Sequence, residues 1–494
     1  MEWLIPRFVR KSILAALLLL LWGALGVAGS LQAQTPAPMQ ADPAGLRDLI
    51  LKPPYLIWPG NPTEMRVLWQ LTATGTSTID WGTDTTYALG SAQTSEYNSS
   101  HQHSYTIPDL TLGLTYYYRV TAQGPAYQGS FRAAPSPDDT DLKFLAYGDT
   151  RSYPAAHDNV ADAMIANYTA DPGYQSLVLV VGDLVYHGDS ETDWTDQFFS
   201  PAYPHIRELV AHLPYQSCMG NHEGTGTLFV KYFPYPFVDG RYWSFDYGPA
   251  HVTIIDQYTS YGPGSAQLQW ISDDLAASTK PWKFIVLHAP GWSAGGGHEN
   301  NTTVQTYIQP LCLQYGVSIV FGGHNHYYAR AEVSGIEHIT TGGGGAPFYT
   351  PNPSYPYVVA TARAYHFCRI AIQGNSLAFE AVTPEGQVLD RFDLAAPASA
   401  GSGGAPVNLG QAQPNPFFSE TLIHWSVPPD PGARLVILNV AGRQVRSLPL
   451  DGTGTHATRW TGTDDAGRRV GSGIYYYRLE SRAGTKLGKL VVVR

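Results

Sequence analysis

Residues 177–186 read LVLVVGDLVY, an apolar run followed by Gly182, Asp183 and, three positions later, Tyr186. The unbroken apolar run predicts a central parallel strand that is buried on both faces. Gly182 allows a sharp turn, so we expect Asp183 just beyond the carboxyl end of that strand, where open α/β sheets bind ligands. A carboxylate there can bridge two cations, and Tyr186 can turn its phenol back to one of them. Taken alone, Gly-Asp also suits a polar cap on a strand end.

The same pattern, an apolar run followed by residues that can bind a metal, occurs four more times. These runs lead to Asp149, to Asn221, to His288, and to His324 with His326. Because ligand sites form at the carboxyl ends of parallel strands, we expect these side chains to converge with Asp183 and Tyr186 on one sheet edge. Oxygen and imidazole ligands without a thiolate suit Zn, Mn and Fe. Shared ligation by one residue predicts two metal positions of about four protein bonds each.

Composition limits the class of protein. The chain has 494 residues, of which 44% are hydrophobic and 14% charged. This predicts about two to four folded domains with large cores rather than disorder. The net charge of −10 argues against a nucleic-acid backbone as a partner. Cys218, Cys312 and Cys368 are too few for a disulfide framework, so we expect buried free thiols.

Residues 1–33 are predicted to be a secretory signal. Arg7 and Lys11 precede an apolar run at 13–27, and small residues near Ala33 suit cleavage. A retained membrane anchor is the alternative, but the run is short for a span. No other segment is long and apolar enough, so we expect no integral membrane span in the mature chain.

The rest of the chain divides into three predicted domains joined by linkers. The predicted segments are a linker at 34–51, a β-sandwich at 52–134, a layered α/β domain at 141–394, a linker at 395–405 and a second β-rich domain at 406–494. Helices are predicted at Ala155–Tyr168 and Ala266–Ala277. Residues 110–116 resemble the turn that enters a fibronectin-type strand with a corner tyrosine, which is Tyr116.

Five short blocks carry a resemblance to a known superfamily. They are GDTR at 148–151, GDLVY at 182–186, GNHE at 220–223, VLH at 286–288 and GHNH at 323–326. At these residues the chain resembles the metallophosphoesterases, and the spacing of Asp183 and Tyr186 is that of the purple acid phosphatases. The resemblance implies a four-layer, β-sandwich-type α/β catalytic domain. In plant-type members a fibronectin-like sandwich precedes this domain, as it does in the prediction for 52–134.

The resemblance also implies a binuclear centre that holds Fe(III) and a divalent ion, which is Fe, Zn or Mn. The residues implied for Fe(III), called the first position here, are Asp149, Tyr186 and His326. The residues implied for the divalent ion, called the second position, are Asn221, His288 and His324. Asp183 bridges the two positions. Two cations lower the pKa of a bound water, so hydroxide is available in mild acid to attack phosphorus in line.

Three further residues are candidates for contact with the substrate. His222, next to Asn221, is expected to protonate the leaving alkoxide while it stays off the metals. His298 resembles a second substrate-side histidine of plant-type members, and a surface loop histidine is the alternative. Arg151 stands where the family has Gly, so the loop must differ; it is a candidate clamp for a phosphate oxygen, with surface pairing to a nearby Asp as the alternative. The fourth block is one residue short of the usual spacing, so only His288 is carried over.

Residues 406–494 resemble the C-terminal sorting domain of the type IX secretion system, an immunoglobulin-like fold. PNPF at 414–417, a Gly-Arg turn at 442–443 and GIYYY at 473–477 carry this resemblance. It implies export across a bacterial outer membrane by that machinery, after which the domain is removed or attaches the protein to the surface. An accessory β-sandwich is the alternative. The expected fold is thus a multidomain chain with two all-β immunoglobulin- or fibronectin-like sandwiches flanking the catalytic domain.

The leading functional hypothesis is a secreted or cell-surface acid phosphatase that hydrolyses small phosphate monoesters. A phosphodiesterase, nucleotidase or phytase with the same site is the first alternative. A non-catalytic surface protein that retains the fold is the second, and the complete ligand set argues against it.

Overall fold

The computed structural model describes residues 49–98, 100–396, 407–427, 430, 432–450, 454–481 and 484–493. The predicted signal at 1–33 and most of both predicted linkers lie outside these residues. The first strand begins at Ile50, two residues before the predicted start of the first β-sandwich. Among the described residues, no helix is both long enough and apolar enough to cross a membrane.

Residues 49–98 and 100–132 form two antiparallel sheets that pack as a sandwich. Their strands are β1 (Ile50–Ile57), β2 (Met65–Leu71), β3 (Ser77–Gly82), β4 (Gly90–Thr94), β5 (Gln102–Ile107), β6 (Thr115–Thr121) and β7 (Ala126–Arg132). The strand orders are β1-β2-β5 and β4-β3-β6-β7. The hydroxyl of Tyr116 accepts a hydrogen bond from the backbone N–H of Thr111 at 2.8 Å, as expected of a corner tyrosine.

Residues 141–396 form a layered α/β unit around two further sheets. The strands are β8 (Asp141–Tyr147), β9 (Val178–Val180), β10 (Tyr215–Ser217), β11 (Trp243–Tyr247), β12 (Ala250–Ile254), β13 (Trp282–Val286), β14 (Val317–Gly322), β15 (Tyr328–Val333), β16 (Ile336–Thr341), β17 (Val358–Ala362), β18 (Phe367–Gln373), β19 (Ser376–Val382) and β20 (Val388–Ala395). The helices are α1 (Pro154–Ala170), α2 (Glu191–Asp193), α3 (Pro204–His212), α4 (Thr227–Tyr232), α5 (Ala266–Ala277) and α6 (Gln309–Tyr315). Short π-helical segments occupy Trp194–Phe198 and Val304–Ile308, and 3₁₀ turns occupy Pro172–Tyr174 and Asn221–Glu223.

The order of strands places parallel runs in both sheets. One sheet runs β10-β9-β8-β18-β19-β20, and β8, β9 and β10 are parallel in it. The other runs β11-β12-β13-β14-β16-β15-β17, and β12, β13, β14 and β16 are parallel in it. All three residues of β9 are fully buried, which agrees with the predicted central strand.

Local sequence explains where the two predicted helices begin and end. The helix predicted at Ala266–Ala277 has those bounds, because the Ser265 side chain accepts a hydrogen bond from the N–H of Leu268 and caps its first turn. The helix predicted at Ala155–Tyr168 lies within α1, which starts at Pro154, a residue suited to a first helical turn.

The first sandwich and the α/β unit share one hydrophobic core. Two hydrogen bonds join the sandwich to the α/β unit. The hydroxyl of Tyr118 donates to the carbonyl of Ala211 at 2.9 Å, and the hydroxyl of Tyr55 donates to the carbonyl of Tyr232 at 2.8 Å. The sandwich therefore supports α3 and α4, which lie on either side of the loop that carries Asn221.

The described part of residues 407–493 forms another pair of antiparallel sheets. The strands are β21 (Asn408–Gln413), β22 (Thr421–Val427), β23 (Arg434–Asn439), β24 (Gln444–Pro449), β25 (Gly454–Trp460), β26 (Gly473–Ser481) and β27 (Gly484–Val492), in the orders β21-β22-β25 and β24-β23-β26-β27. This unit has a hydrophobic core of its own. It touches α6, where the side-chain amide of Asn408 donates to the carbonyl of Leu313 at 3.5 Å.

Candidate metal centre

The predicted ligands come from the carboxyl ends of strands in two sheets. Asp149, Asp183 and Asn221 follow β8, β9 and β10 of one sheet, while His288 and His324 follow β13 and β14 of the other. The expectation of one sheet edge was therefore wrong. An apolar run identifies a buried strand, but it does not say which strands are hydrogen-bonded neighbours, and here the two sheets pack so that their strand ends meet.

Backbone conformation at the ligands is unusual. Asp149, Asp183 and His324 have φ values of 53°, 56° and 67°, in the left-handed region that residues with a side chain rarely occupy. Such strain is found where a structure must aim a side chain at a site. Glycine is required beside them, since a Cβ on Gly220 would lie 2.2 Å from Oδ1 of Asp183, and one on Gly323 would lie 2.2 Å from Oδ2 of Asp149.

The second position brings together atoms that accept hydrogen bonds. Nδ1 of His288 lies 2.7 Å from the carbonyl oxygen of Val181, which only accepts, so the proton is on Nδ1 and Nε2 presents a lone pair. That Nε2 lies 3.0 Å from Oδ1 of Asn221, 3.1 Å from Nδ1 of His324 and 3.4 Å from Oδ1 of Asp183. Oxygen and imidazole donors turned towards one another fit a divalent cation of the Zn, Mn or Fe class.

The first position is only partly assembled for a metal. Asp149 is fully buried, and its Oδ1 lies 3.6 Å from Nε2 of His326. Tyr186 is 44% exposed, and the guanidinium carbon of Arg151 lies 5.7 Å from the centroid of its ring. One carboxylate oxygen each from Asp149 and Asp183 and one ring nitrogen of His288 lie within 4.8 Å of one another. These three buried residues form a cluster that suits a metal and spans both positions.

Arg151 lies inside the centre. Its Nε donates to Oδ2 of Asp183 at 3.1 Å, and its Nη2 donates to Nε2 of His326 at 3.2 Å. It therefore pairs with an aspartate, as one of the two predictions had it, but it does so as a buried residue and not on the surface. Its guanidinium also donates to Oγ of Ser152, so its polar atoms already contact protein groups.

The pKa values of the two buried aspartates, Asp149 and Asp183, are shifted in opposite directions. Burial, reinforced by the nearby Asp183 carboxylate, raises the pKa of Asp149 well above its ordinary value. Burial also acts to raise the pKa of Asp183, but His288, His222 and Arg151 together hold that pKa below its ordinary value. Asp183 is thus the carboxylate that remains ionised most readily beside the cluster.

The imidazoles of the cluster prefer to be neutral. Burial, followed by repulsion from His288 and His298, lowers the pKa of His324 to about 2. Burial and the Arg151 guanidinium lower the pKa of His326 to about 4, and burial lowers the pKa of His288. Neutral imidazoles are the form that binds metals, so protons compete weakly for these nitrogens in mild acid.

The two predicted substrate histidines contact different members of the cluster. Nδ1 of His222 lies 2.6 Å from the carbonyl oxygen of Tyr186, and its Nε2 is 4.0 Å from Oδ2 of Asp183, which keeps the ring outside the set of converging donors. His298 stacks on His324 with ring centroids 3.7 Å apart, so it is not a free surface histidine. Burial lowers the pKa of His298, which disfavours a protonated ring there.

Three residues that support the centre were not among the predicted site residues. Glu223 is fully buried and accepts hydrogen bonds from the backbone N–H groups of Asp183, Leu184 and Gly220 at 3.0, 2.7 and 2.6 Å. Burial raises its pKa to about 8. Its place in the GNHE block was the signal for it in the sequence.

Gln257 and Tyr349 contact histidines of the centre. Oε1 of Gln257 accepts from the backbone N–H of His288 at 3.0 Å. The ring of Tyr349 stacks on His326 with centroids 4.4 Å apart, and its hydroxyl lies 3.3 Å from Nε2 of His298. Tyr349 follows no apolar run, so no such pattern indicates it, whereas Gln257 lies three residues beyond the end of β12, where the same pattern could have found it.

Comparison with known families gives matches over the first two described units. Residues 142–328 match the calcineurin-like phosphoesterase family, and residues 52–133 match the purple acid phosphatase N-terminal domain.

Known proteins agree with these matches. The chain is 28% identical over 275 residues to purple acid phosphatase 22 of Arabidopsis thaliana, which covers 50% of this chain and 60% of that protein. It is 26% identical over 262 residues to Fe(3+)-Zn(2+) purple acid phosphatase 12 of the same plant, covering 48% and 53%. The chain thus spans about half to two thirds of the length of these relatives. A purple acid phosphatase from yellow lupin (Lupinus luteus) seeds has the same fold, with a TM-score of 0.59 at 19% identity, over 69% of this chain and 74% of that one.

Proposed function

We propose that the chain, which is similar in sequence to purple acid phosphatases and shares the fold of one of them, is a phosphoester hydrolase that cleaves small phosphate monoesters at a centre of two metal positions. The observation that carries the proposal is the convergence of acceptor atoms from Asp183, Asn221, His288 and His324 on one point between two sheets. A cation would satisfy oxygen and imidazole lone pairs that face one another in a buried site, and this donor set suits a metal of the Zn, Mn or Fe class.

Fe(III) and a divalent ion are the proposed metals, by analogy with the relative named for Fe(3+) and Zn(2+). Cations held there polarise a phosphate ester and acidify a water molecule. The residues of the chain supply the rest. Asp183 carries negative charge to both positions, and Gln257 fixes the backbone of His288. The Nδ1–H of His222 donates to the carbonyl of Tyr186, so it is the doubly protonated ring that has a second proton, at Nε2, to give to the leaving oxygen.

Function in mild acid is consistent with the low imidazole pKa values. A histidine whose pKa is lowered in the folded protein stays neutral until the pH falls to that lower value. For His324 and His326 those values are about 2 and about 4. Protons therefore compete weakly with metal ions for these two nitrogens in mild acid.

Metal removal is the test of the proposed function. A chelator that strips the protein is expected to lower turnover of an aryl phosphate monoester by at least about 100-fold, because the charge that stabilises the transition state is lost. Adding Fe³⁺ with Zn²⁺ is expected to restore turnover together with two metals per chain and a visible absorption band from the Tyr186 phenolate. Full turnover in stripped protein, or turnover on a phosphodiester that exceeds turnover on the monoester, would contradict the proposal.

Export and sorting are the remaining part of the proposed function. The predicted signal at 1–33 and the resemblance of 406–494 to a type IX sorting domain support a secreted or cell-surface bacterial protein. The separate hydrophobic core of the last unit supports its independence from the chemistry.

Deleting residues 407–494 tests that independence. In purified protein the deletion is expected to change turnover on the aryl phosphate by less than about twofold, because its sequence contributes no group to the metal centre. In a bacterium with a type IX system, the same deletion is expected to abolish appearance of the protein at the cell surface. A large loss of turnover with the fold intact, or unchanged surface display, would show that the last unit has another role.

A further inference from the structure

Arg151 contacts most of the groups that belong to the first metal position. Its Nε donates to Oδ2 of Asp183 and its Nη2 donates to Nε2 of His326. The guanidinium also lies against the ring of Tyr186. Asp183, His326 and Tyr186 therefore face a guanidinium where the resemblance places an ion.

The contact with His326 uses the lone pair that a metal would need. Nδ1 of His326 lies 2.7 Å from the carbonyl oxygen of Pro347, which only accepts, so the proton is on Nδ1 and Nε2 is the acceptor. An arginine stays protonated in a protein, so its charge does not disappear to make room. Nε2 of His326 has a single lone pair, so it cannot serve the guanidinium and an ion at the same time, and a cation at Oδ2 of Asp183 would lie directly beside the positive charge of Arg151.

Arg151 is held in this place by the loop that carries it. Its backbone N–H donates to the carbonyl of Asp183 at 3.2 Å, and its Nη1 donates to Oγ of Ser152 at 3.1 Å. The side chain is only 8% exposed. The second position is different, because His288, His324 and Asn221 face one another, while the guanidinium of Arg151 donates its hydrogen bonds to Asp183, His326 and Ser152.

We propose that Arg151 competes with a metal ion for the first position. The chain then holds one ion tightly at the second position, and it holds another only when Arg151 withdraws from Asp183 and His326. The proposal rests on the metal centre proposed above and goes beyond it, because it makes the two positions unequal in affinity. The physical reason is that two charge-assisted hydrogen bonds must break, and a fixed positive charge must move, before a second cation enters.

Titration of Zn²⁺ into chelator-stripped protein tests the proposal, followed by calorimetry and by metal analysis. The wild type is expected to bind one ion tightly and a second one more weakly. Arg151→Ala is expected to tighten the weaker site by about 10- to 100-fold, the range expected when the cost of breaking charged hydrogen bonds is removed. Arg151→Lys keeps the charge without the forked geometry and is expected to fall between the two.

Matched variants separate this effect from general damage. Arg468→Ala removes an arginine that is 80% exposed in the last unit, and it is expected to leave both affinities unchanged. Circular dichroism checks the fold, and the neutral Arg151→Gln, of similar length, replaces Arg151→Ala if the smaller side chain prevents folding. In the Arg151→Ala background, the further change His326→Ala is expected to abolish ion binding at the first position and to keep the tightly bound ion at the second position.

Turnover measured on the same samples distinguishes this inference from the proposed function. Two equally tight ions in the wild type, together with full turnover, overturn the inference and leave the function standing. Weaker binding in Arg151→Ala also overturns it, because Arg151 would then be a support for the ligands. Failure of every variant to bind Zn²⁺ overturns both.

Discussion

Replacing Asp183 by Asn is expected to lower turnover of an aryl phosphate by about 1,000-fold and to reduce metal binding at both positions. Asp183 is the carboxylate that faces both sets of donors, since its Oδ1 lies 3.4 Å from Nε2 of His288 and its Oδ2 lies 3.1 Å from Nε of Arg151. Asn keeps the size and one oxygen but loses the charge that attracts two cations. The expected loss is at the upper end of what removal of one preorganised electrostatic group costs.

Metal analysis and turnover on the same preparation check this result. Asp171→Asn is a matched control, because Asp171 also pairs with a cationic side chain, that of Lys143, but lies at the far end of β8 and is 43% exposed. The control is expected to retain both metals and wild-type turnover. An Asp183→Asn protein that keeps two ions and its turnover would show that Asp183 does not bridge the positions.

Replacing His222 by Ala is expected to lower turnover of an alkyl phosphate by about 100- to 10,000-fold, the usual contribution of a general acid. The loss on an activated aryl phosphate is expected to be below about tenfold, because a phenolate leaves without a proton. Nδ1 of His222 faces the carbonyl of Tyr186, which orients the ring, and Nε2 lies beside Asp183 without joining the converging donors.

Both rates and the metal content decide the role of His222. His205→Ala is the control, since His205, on α3, pairs with Asp158 of α1 and not with a residue of the centre. Loss of a metal from His222→Ala would make His222 a ligand. Equal losses on both substrates would mean that it positions the phosphate, and proton donation would then fall to His298, which stacks on His324.

The sequence predicted which residues lie at strand ends. It did not predict how the strands pair into two sheets or which side chains lie beside one another between them. The residues Asp149, Asp183, Asn221, His288 and His324 follow strands because each comes after a short apolar run that is buried in a sheet, and a glycine directly precedes each of them except His288. Assignment of the strands to two sheets was missed because hydrogen-bonded pairing depends on distant residues.

The orientation of side chains after the strand ends was harder still to predict. The spacing of Tyr186 from Asp183 placed it near the centre, but the spacing does not show which group lies beside its ring. That group is Arg151, a residue that the blocks mark only as a departure from the family. A motif fixes positions along the chain, while competition between neighbouring groups for the same atoms appears only in three dimensions.

The hydrogen bonds of Glu223 restrict the movement of the loops after β9 and β10. Because one carboxylate receives the N–H groups of Asp183, Leu184 and Gly220, the loops after β9 and β10 are joined into one stiff body. Asp183 and His222 therefore cannot move independently, since the backbone of His222 also donates to Oδ1 of Asp183 at 2.9 Å. The loss of conformational freedom needed to align them occurs when the chain folds and not when a substrate arrives. The spacing between the carboxylate and the neighbouring imidazole is thus set before any ligand is present.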